Sequence, residues 1–187
     1  KNEQNENIIL GEGGSGIVFK IEQEFVPKVN STRAIKFFVF KDDLINKLDT
    51  YISTLNFEDE IVNISKFNHQ NILKIIDGGY YERDGIDIPY IVSDFVSGKT
   101  LEELLDDNEL RKQYFSQKES IFELFKQIIN GLIYLHNRQF YHCDIAPKNV
   151  FINLTSEGYH VIIGDLGVGK TLDKQTEKQN KEFLVTG

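Results

Sequence analysis

Short apolar runs broken by glycine or polar turns open this chain, and a helical period replaces them further on. Residues 8–10 and 17–21 read as two strands, joined through Gly11, Gly13, Gly14, Ser15 and Gly16 in a glycine-rich hairpin. The polar residues 22–32, with Pro27, predict a surface loop, and residues 33–40 predict a buried strand with Lys36 at its middle. Between residues 49 and 67 the apolar positions Phe57, Ile61, Ile64 and Phe67 recur at three and four, which is one face of a helix. Residues 72–76 and 89–95 predict two more strands. Thr100 with Glu103 and Ser116 with Glu119 form two S/T-x-x-E capping boxes, each ahead of an apolar periodic run. The second run carries Phe122, Leu124, Phe125, Ile128, Ile129, Leu132, Ile133 and Leu135, so its helix is apolar over much of its circumference and is expected to be mostly buried. Residues 150–154 and 159–163 predict a closing hairpin.

Composition narrows the class. The 187 residues, 40% of them hydrophobic, suit one compact domain or two small lobes. A formal net charge of −8 argues against a surface made for nucleic acid or an anionic membrane. One cysteine implies no disulfide framework, no apolar run approaches a membrane span, and the polar start is not a signal peptide, so a cytoplasmic protein is expected. The chain contains no methionine and is expected to be part of a longer product.

Four places carry candidate chemistry. Lys36 in an apolar strand requires an anionic partner, and Glu60, on the apolar face of the predicted helix, requires a cation, with Glu58 as the rival. The backbone of Gly11 to Gly16 can lie close over phosphates and offer its N–H groups, although the same pattern fits a dinucleotide fold or a plain turn. The β-branched run that follows it is a strand, which tells against the dinucleotide fold. Asp144 and Asn149, between an apolar helix and the run 150–152, can present a base and a metal ligand at one point, or serve as ordinary turn residues. Residues 164–171 also satisfy the P-loop pattern G-x-x-x-x-G-K-[ST]. The helix that must follow would have Leu172 as its one apolar residue, and no face to dock.

In order, these features resemble the catalytic domain of the eukaryotic-type protein kinases. The carriers are Gly11-x-Gly13-x-x-Gly16-x-Val18, Ala34-Ile35-Lys36, Glu60, the turn 68–72, the run Ser93-Asp94-Phe95-Val96, the loop His142-Cys143-Asp144 to Asn149, and Asp165-Leu166-Gly167. The resemblance implies an α+β, bilobal fold, with a five-stranded antiparallel sheet plus one helix in residues 1–95 and a partial, mostly helical second lobe in residues 96–187. It implies transfer of the γ-phosphoryl of ATP, held with Mg2+, to a protein hydroxyl, Ser/Thr favoured over Tyr. Asp144 would be the base, Lys148 would neutralise the moving phosphoryl group, and Asn149 and Asp165 would hold magnesium. The glycine loop from Gly11 through Gly14 and Ser15 to Gly16 would cover the phosphates, and Lys36, fixed by Glu60, would orient them. Val18, Ala34, Ser93, Asp94, Val96 and Phe151 would form the nucleotide pocket, with backbone groups of Asp94 and Val96 on the adenine edge. ATP and a protein substrate are the implied partners, with neither nucleic acid nor membrane.

Three departures qualify the resemblance. Cys143 stands where many kinases carry an Arg that reads an activation-segment phosphate, so the non-Arg subtype is implied. Ala146 stands where Ser/Thr kinases usually carry Lys. The chain stops where a kinase would continue into further helices. A nucleotide-binding pseudokinase and a small-molecule kinase of the aminoglycoside type are the rival readings.

Overall fold

The computed structural model describes residues 8–13, 16–26, 29–38, 57–155, 158–166 and 170–171. They fall into two compact units, Lys1–Asn68 with Lys74–Phe95 and His69–Leu73 with Val96–Gly187.

The first unit is built on a five-stranded antiparallel sheet in the order β1-β2-β3-β5-β4. Its strands are β1 (Ile8–Gly13), β2 (Gly16–Val26), β3 (Val29–Phe37), β4 (Ile75–Arg83) and β5 (Ile86–Asp94). The loop expected at residues 22–32 is corrected, because Glu22 pairs with Thr32, Gln23 with Ser31 and Glu24 with Asn30. Ladder bonds join main chains whatever the side chains, and Thr32 Oγ1 adds a bond of 2.9 Å to the Glu22 carboxylate. Pro27 lies outside the described residues. The strand expected at 72–76 is also corrected. It begins at Ile75 and runs to Arg83, while Ile72 makes a single parallel bridge to Ile163. Asp84 and Gly85, both at positive φ (55° and 78°), turn β4 into β5. Asp-Gly is the usual signal for such a two-residue turn.

Among the described residues one helix packs on this sheet, α1 (Phe57–Ser65); residues 49–56 of the expected helix, and residues 39 and 40 of the expected strand, lie outside the described residues. Its Phe57 ring stands 5.5 Å from the rings of both Phe38 and Tyr80. Gly78 permits close approach, since a Cβ there would come within 2.7 Å of Ile61 Cδ1. Lys74 Nζ reaches the carbonyls of Ser65 and Phe67, both at 3.4 Å, a cation at the helix end that attracts one.

The second unit contains α2 (Leu101–Asp106), α3 (Asn108–Phe115) and α4 (Lys118–His136) beside a three-stranded sheet, β6 (Lys99–Thr100), β8 (Val150–Thr155) and β9 (Gly158–Ile163). The Thr100 capping box forms, with Thr100 Oγ1 accepting from the Glu103 N–H at 3.2 Å and Glu103 Oε2 accepting from the Thr100 N–H at 2.6 Å. The Ser116 box does not form. Ser116 has helical φ and ψ (−71°, −25°) as the last cap of α3, so it cannot take the extended conformation of an N-cap. α4 instead has Gln117 at its N-cap with no side-chain cap bond, while Asp107 caps α3, accepting from the N–H groups of Glu109 and Leu110.

The burial expected of α4 is corrected too. Leu124, Gly131 and Leu135 are buried, whereas Phe122, Phe125, Ile129 and Ile133 are exposed, Phe122 to 73%. Among the described residues β9, α3 and β7 (Phe140–Tyr141) pack on one side of the helix. Leu104, Leu124, Val150, Ile152 and Val161 form the core between helices and sheet.

Candidate active site

In the second unit the chain leaves α4, passes β7 and enters β8 through a 3-10 turn, Pro147–Asn149. Pro147 starts the turn and the Asn149 N–H closes it on the Ala146 carbonyl at 2.9 Å. This turn folds residue 149 back on residue 144. Asn149 Nδ2 donates to the Asp144 carbonyl at 2.9 Å and to Asp144 Oδ2 at 3.1 Å. Asn149 is buried, so these bonds fix the carboxylate in one orientation. Lys148 Nζ stands 3.9 Å from the same Oδ2, on the open side of the loop.

The loop is tied to the next segment by main-chain and imidazole bonds. The Gly164 N–H donates to the Asn149 carbonyl at 2.8 Å, and buried His142 Nε2 lies 2.7 Å from the Gly164 carbonyl. His142 Nδ1 accepts from the Asp144 N–H at 3.3 Å. With Nδ1 accepting, the ring proton sits on Nε2 and is donated to Gly164. Asp165 thus follows, by one peptide bond, a residue clamped to the Asp144–Asn149 loop. A Cβ on Gly164 would lie 2.6 Å from Phe151 Cε2, so the Phe151 ring packs where a side chain would otherwise stand. Cys143 and Asp165 both hold positive φ, 61° and 56°, and Leu166 is buried. Cys143 is exposed, its thiol directed at the Tyr141 carbonyl. Gly167 lies outside the described residues.

The P-loop alternative fails here. Lys170 and Thr171 form a strand, β10, that pairs with Tyr141 and Phe140, whereas a P-loop requires them to open a helix.

In the first unit strand register assembles the other candidates. Val18 pairs with Lys36 and Lys36 with Ile91, while Lys20 pairs with Ala34 and Ala34 with Ser93. Residues opposite one another, and those two apart along a strand, share a face, so Val18, Ala34, Lys36 and Ser93 lie together. Gly78, which pairs with Ile91 and touches Ile61, places α1 on that same face. Glu60 is half-buried on α1 while Glu58 is exposed, and burial pushes the Glu60 carboxyl up to about 7. Among the described residues no ion pair joins Glu60 to Lys36, whose Nζ lies 5.2 Å from the centroid of the Phe38 ring. Gly16 has φ 136°, and a Cβ there would collide with the Phe37 carbonyl. Gly11 and Gly13 lie in β1, and Gly14 and Ser15 are outside the described residues.

Ser93 is buried with its hydroxyl on the Asp94 carbonyl at 3.2 Å. The Asp94 N–H already donates to the Lys74 carbonyl at 3.0 Å, so the carbonyl is the Asp94 backbone group left for a ligand. Its carboxylate holds Arg33 at 2.5 Å across the β3–β5 pair. Val96 begins the longer segment of the second unit.

Three contributors had no role assigned from sequence: His142, the Arg33–Asp94 pair, and the buried Asn71 with Gln127. Asn71 Nδ2 donates to the Val161 carbonyl at 2.8 Å and to Gln127 Oε1 at 3.2 Å, and Gln127 Oε1 also accepts from the Val161 N–H at 2.8 Å. They hold the strand that delivers Gly164. A polar Gln between Phe125 and Ile128 was the available signal.

A magnesium ion fits the donors of the second unit. Asn149 spends Nδ2 on Asp144 and keeps its Oδ1 for a cation, and Asp165, the residue after Gly164, carries a carboxylate of the kind magnesium takes. Magnesium is commonly held by one or two such protein oxygens together with phosphates and waters. Among the described residues no cluster of three or more His, Cys, Asp and Glu forms a self-sufficient metal site.

The model for the protein kinase domain matches residues 4–187. The chain belongs to the protein kinase family. A probable serine/threonine-protein kinase of Corynebacterium efficiens is 25% identical over 178 residues, 95% of this chain and 24% of that protein. A probable serine/threonine-protein kinase of Clostridium perfringens is 27% identical over 167 residues, 89% of this chain and 22% of its own length. A tyrosine-protein kinase receptor of Caenorhabditis elegans is 26% identical over 170 residues, 90% of the chain and 14% of the receptor. This kinase domain therefore spans about a quarter or less of the length of these relatives. No helix among its described residues is long and apolar enough to cross a membrane.

Proposed function

We propose that the domain transfers the γ-phosphoryl of ATP, held with Mg2+, to a protein hydroxyl, Ser or Thr rather than Tyr. The observation that carries this reading is the bonded cluster of Asp144, Lys148 and Asn149, tied through Gly164 to Asp165. In this arrangement Asp144, oriented by Asn149, takes the proton from the attacking hydroxyl, as a base within hydrogen-bond reach must. Lys148, beside the carboxylate, meets the negative charge of the phosphoryl group in flight. Asn149 Oδ1 and Asp165 hold magnesium, which when bound neutralises phosphate charge.

Gly11 to Gly16, with Gly14 and Ser15 at the tip, cover the phosphates, and Lys36 orients them with Glu60 as its partner. Val18, Ala34, Ser93, the Asp94 carbonyl, Val96 and Phe151 hold the nucleotide base. Such a site works by positioning and charge neutralisation rather than covalent chemistry. The Ser/Thr preference is supported by the bacterial relatives, both named as probable serine/threonine-protein kinases. A cytoplasmic location belongs to the same reading, supported by the single cysteine. The experiment is a radiolabelled ATP assay with generic protein substrates, run with magnesium and with a chelator. Magnesium-dependent label on Ser or Thr is the expected result. Label absent at every protein concentration, with nucleotide still bound, would establish the pseudokinase instead.

A further inference from the structure

The sheet of the first unit has a second face. The middle of that face is apolar, flanked by Glu12 on one strand and by the Arg33–Asp94 pair, whereas the second face of an antiparallel sheet with one packed face is usually polar. On β2 the alternation gives Val18 and Lys20 to the face that carries Lys36, while Ile17 and Phe19 point the other way. Register extends the patch. Ile17 pairs with Phe37 and Phe19 with Ile35, and Phe37 pairs in turn with Tyr90.

These side chains enclose a concavity. Ile17, Phe19, Ile35, Phe37, Tyr81 and Arg83 line a cavity of about 410 Å³. Phe37 is its centre, with ring centroids 6.1 Å from Phe19, 5.9 Å from Tyr81 and 5.8 Å from Tyr90. None of these side chains is fully buried, and Tyr81 is 52% exposed. An apolar concavity of a few hundred Å³ with one or two placed polar groups is the ordinary layout of a small-molecule site.

The polar group here is Arg83. It is the one cation among the lining residues, and the carboxylate beside it is that of Asp84, at 3.7 Å. Both side chains of that pair are mostly exposed, 71% and 88%, so the contact is weak and the guanidinium can accept another anion. A planar guanidinium at the rim selects a carboxylate, which it can engage through two parallel bonds.

We infer that this face binds an amphipathic organic anion, a small molecule with an apolar body ending in one carboxylate. The body lies against Phe19, Phe37 and Tyr81, and the carboxylate rests on Arg83. The site is on the opposite side of the sheet from Val18, Ala34, Lys36 and Ser93, and it does not depend on the phosphoryl-transfer reading.

Decanoate and uncharged 1-decanol, which share a chain and differ in charge, serve as probes in calorimetric titrations below their aggregation limits. Decanoate is expected to bind one to one and more tightly than decanol. Arg83→Gln should weaken decanoate roughly fivefold, the scale of one exposed ion pair, and leave decanol unchanged. Tyr81→Ser should weaken both probes alike, since it trims the apolar wall and leaves the cation. Both side chains are largely exposed, and unchanged melting temperatures of the variants confirm that they fold. No decanoate binding, equal decanoate affinity in Arg83→Gln, or a sedimenting dimer that decanoate does not disperse would each overturn the assignment. The last of these outcomes would give the face to a second copy of the chain.

Discussion

In the second unit the candidate base is held from three sides, by Asn149 at 3.1 Å on its carboxylate, by Lys148 at 3.9 Å, and by His142 Nδ1, which accepts from the Asp144 N–H. In the first unit the candidate nucleotide residues are aligned by strand register, and Glu60 sits half-buried with its carboxyl raised to about 7. A loop closed by short-range bonds is organised before any ligand arrives. The sheet face carries the Lys36 ammonium and, on the helix beside it, an acid whose proton burial retains up to about 7, with no ion pair joining these two among the described residues. The contrast implies that substitutions in the loop change the chemical step, whereas substitutions on the sheet face change how the nucleotide is held.

Asp144→Asn tests the first half of that contrast and has the largest expected effect. Transfer should fall by about 10²–10⁴-fold, the usual contribution of a positioned base, with nucleotide affinity nearly unchanged. Titration with a fluorescent nucleotide beside the transfer assay separates the two quantities. A large loss of binding would make Asp144 a structural residue and remove the contrast.

Lys36 and Glu60 test the second half. Each alanine substitution should cost activity, and the double variant should lose less than the sum by about 1–3 kcal/mol, because in the nucleotide-bound domain either single change leaves a charge without the partner proposed for it. Additive losses in the double-mutant cycle would assign the partnership to another acid, with exposed Glu58 tried next.

The glycine hairpin sharpens the comparison within the first unit. At Gly16, with φ 136° and the Phe37 carbonyl in the way of a Cβ, alanine should destabilise the unit by about 2 kcal/mol or more. At Gly11, where a Cβ would meet nothing within 4 Å, alanine should change stability by less than about 1 kcal/mol. Denaturant titration of the two variants measures the difference. Equal losses would show that the strain at residue 16 relaxes through the neighbouring strand.

The same division explains what could be read from sequence. Asp144 and Asn149 were legible because their bonds close within five residues, through a turn that Pro147 initiates. The face shared by Val18, Ala34 and Lys36 was partly legible, since alternation sets faces within a strand. The Arg33–Asp94 pair spans 61 residues and depends on a register that no local pattern encodes. The Asn71–Val161 bond spans 90 residues. The strand continuations from Glu22 to Val26 and from Val29 to Thr32 were hidden by polar side chains, whose backbones pair all the same. On α4 the apolar residues gave what could be buried and not what the neighbouring elements cover. Phe122 and Ile129 are therefore exposed despite their hydrophobicity.

The smallest effect expected lies in the pH dependence of stability. Glu60 binds its proton in the folded chain at about 7, against an ordinary value of 4.5, and burial is the cause. Between those values the folded chain holds a proton that the unfolded chain has released. Stability linked to Glu60 is therefore complete below the lower value and is lost as pH rises through the upper one. The side chain is only half-buried and solvent screens it, so the loss should stay under about 1 kcal/mol. Melting curves of the wild type and Glu60→Gln from pH 5 to 8 isolate this contribution, because the other titrating groups are common to both. The difference between the two should shift against the wild type as pH rises. If an anionic nucleotide brings Lys36 to Glu60, saturating nucleotide should flatten that difference, since an adjacent ammonium lowers the carboxyl again. A wild type that gains stability over Glu60→Gln with rising pH, in the absence of nucleotide, would mean that the carboxylate already has a cation beside it. The sheet face would then be as fully organised before ligand arrives as the loop.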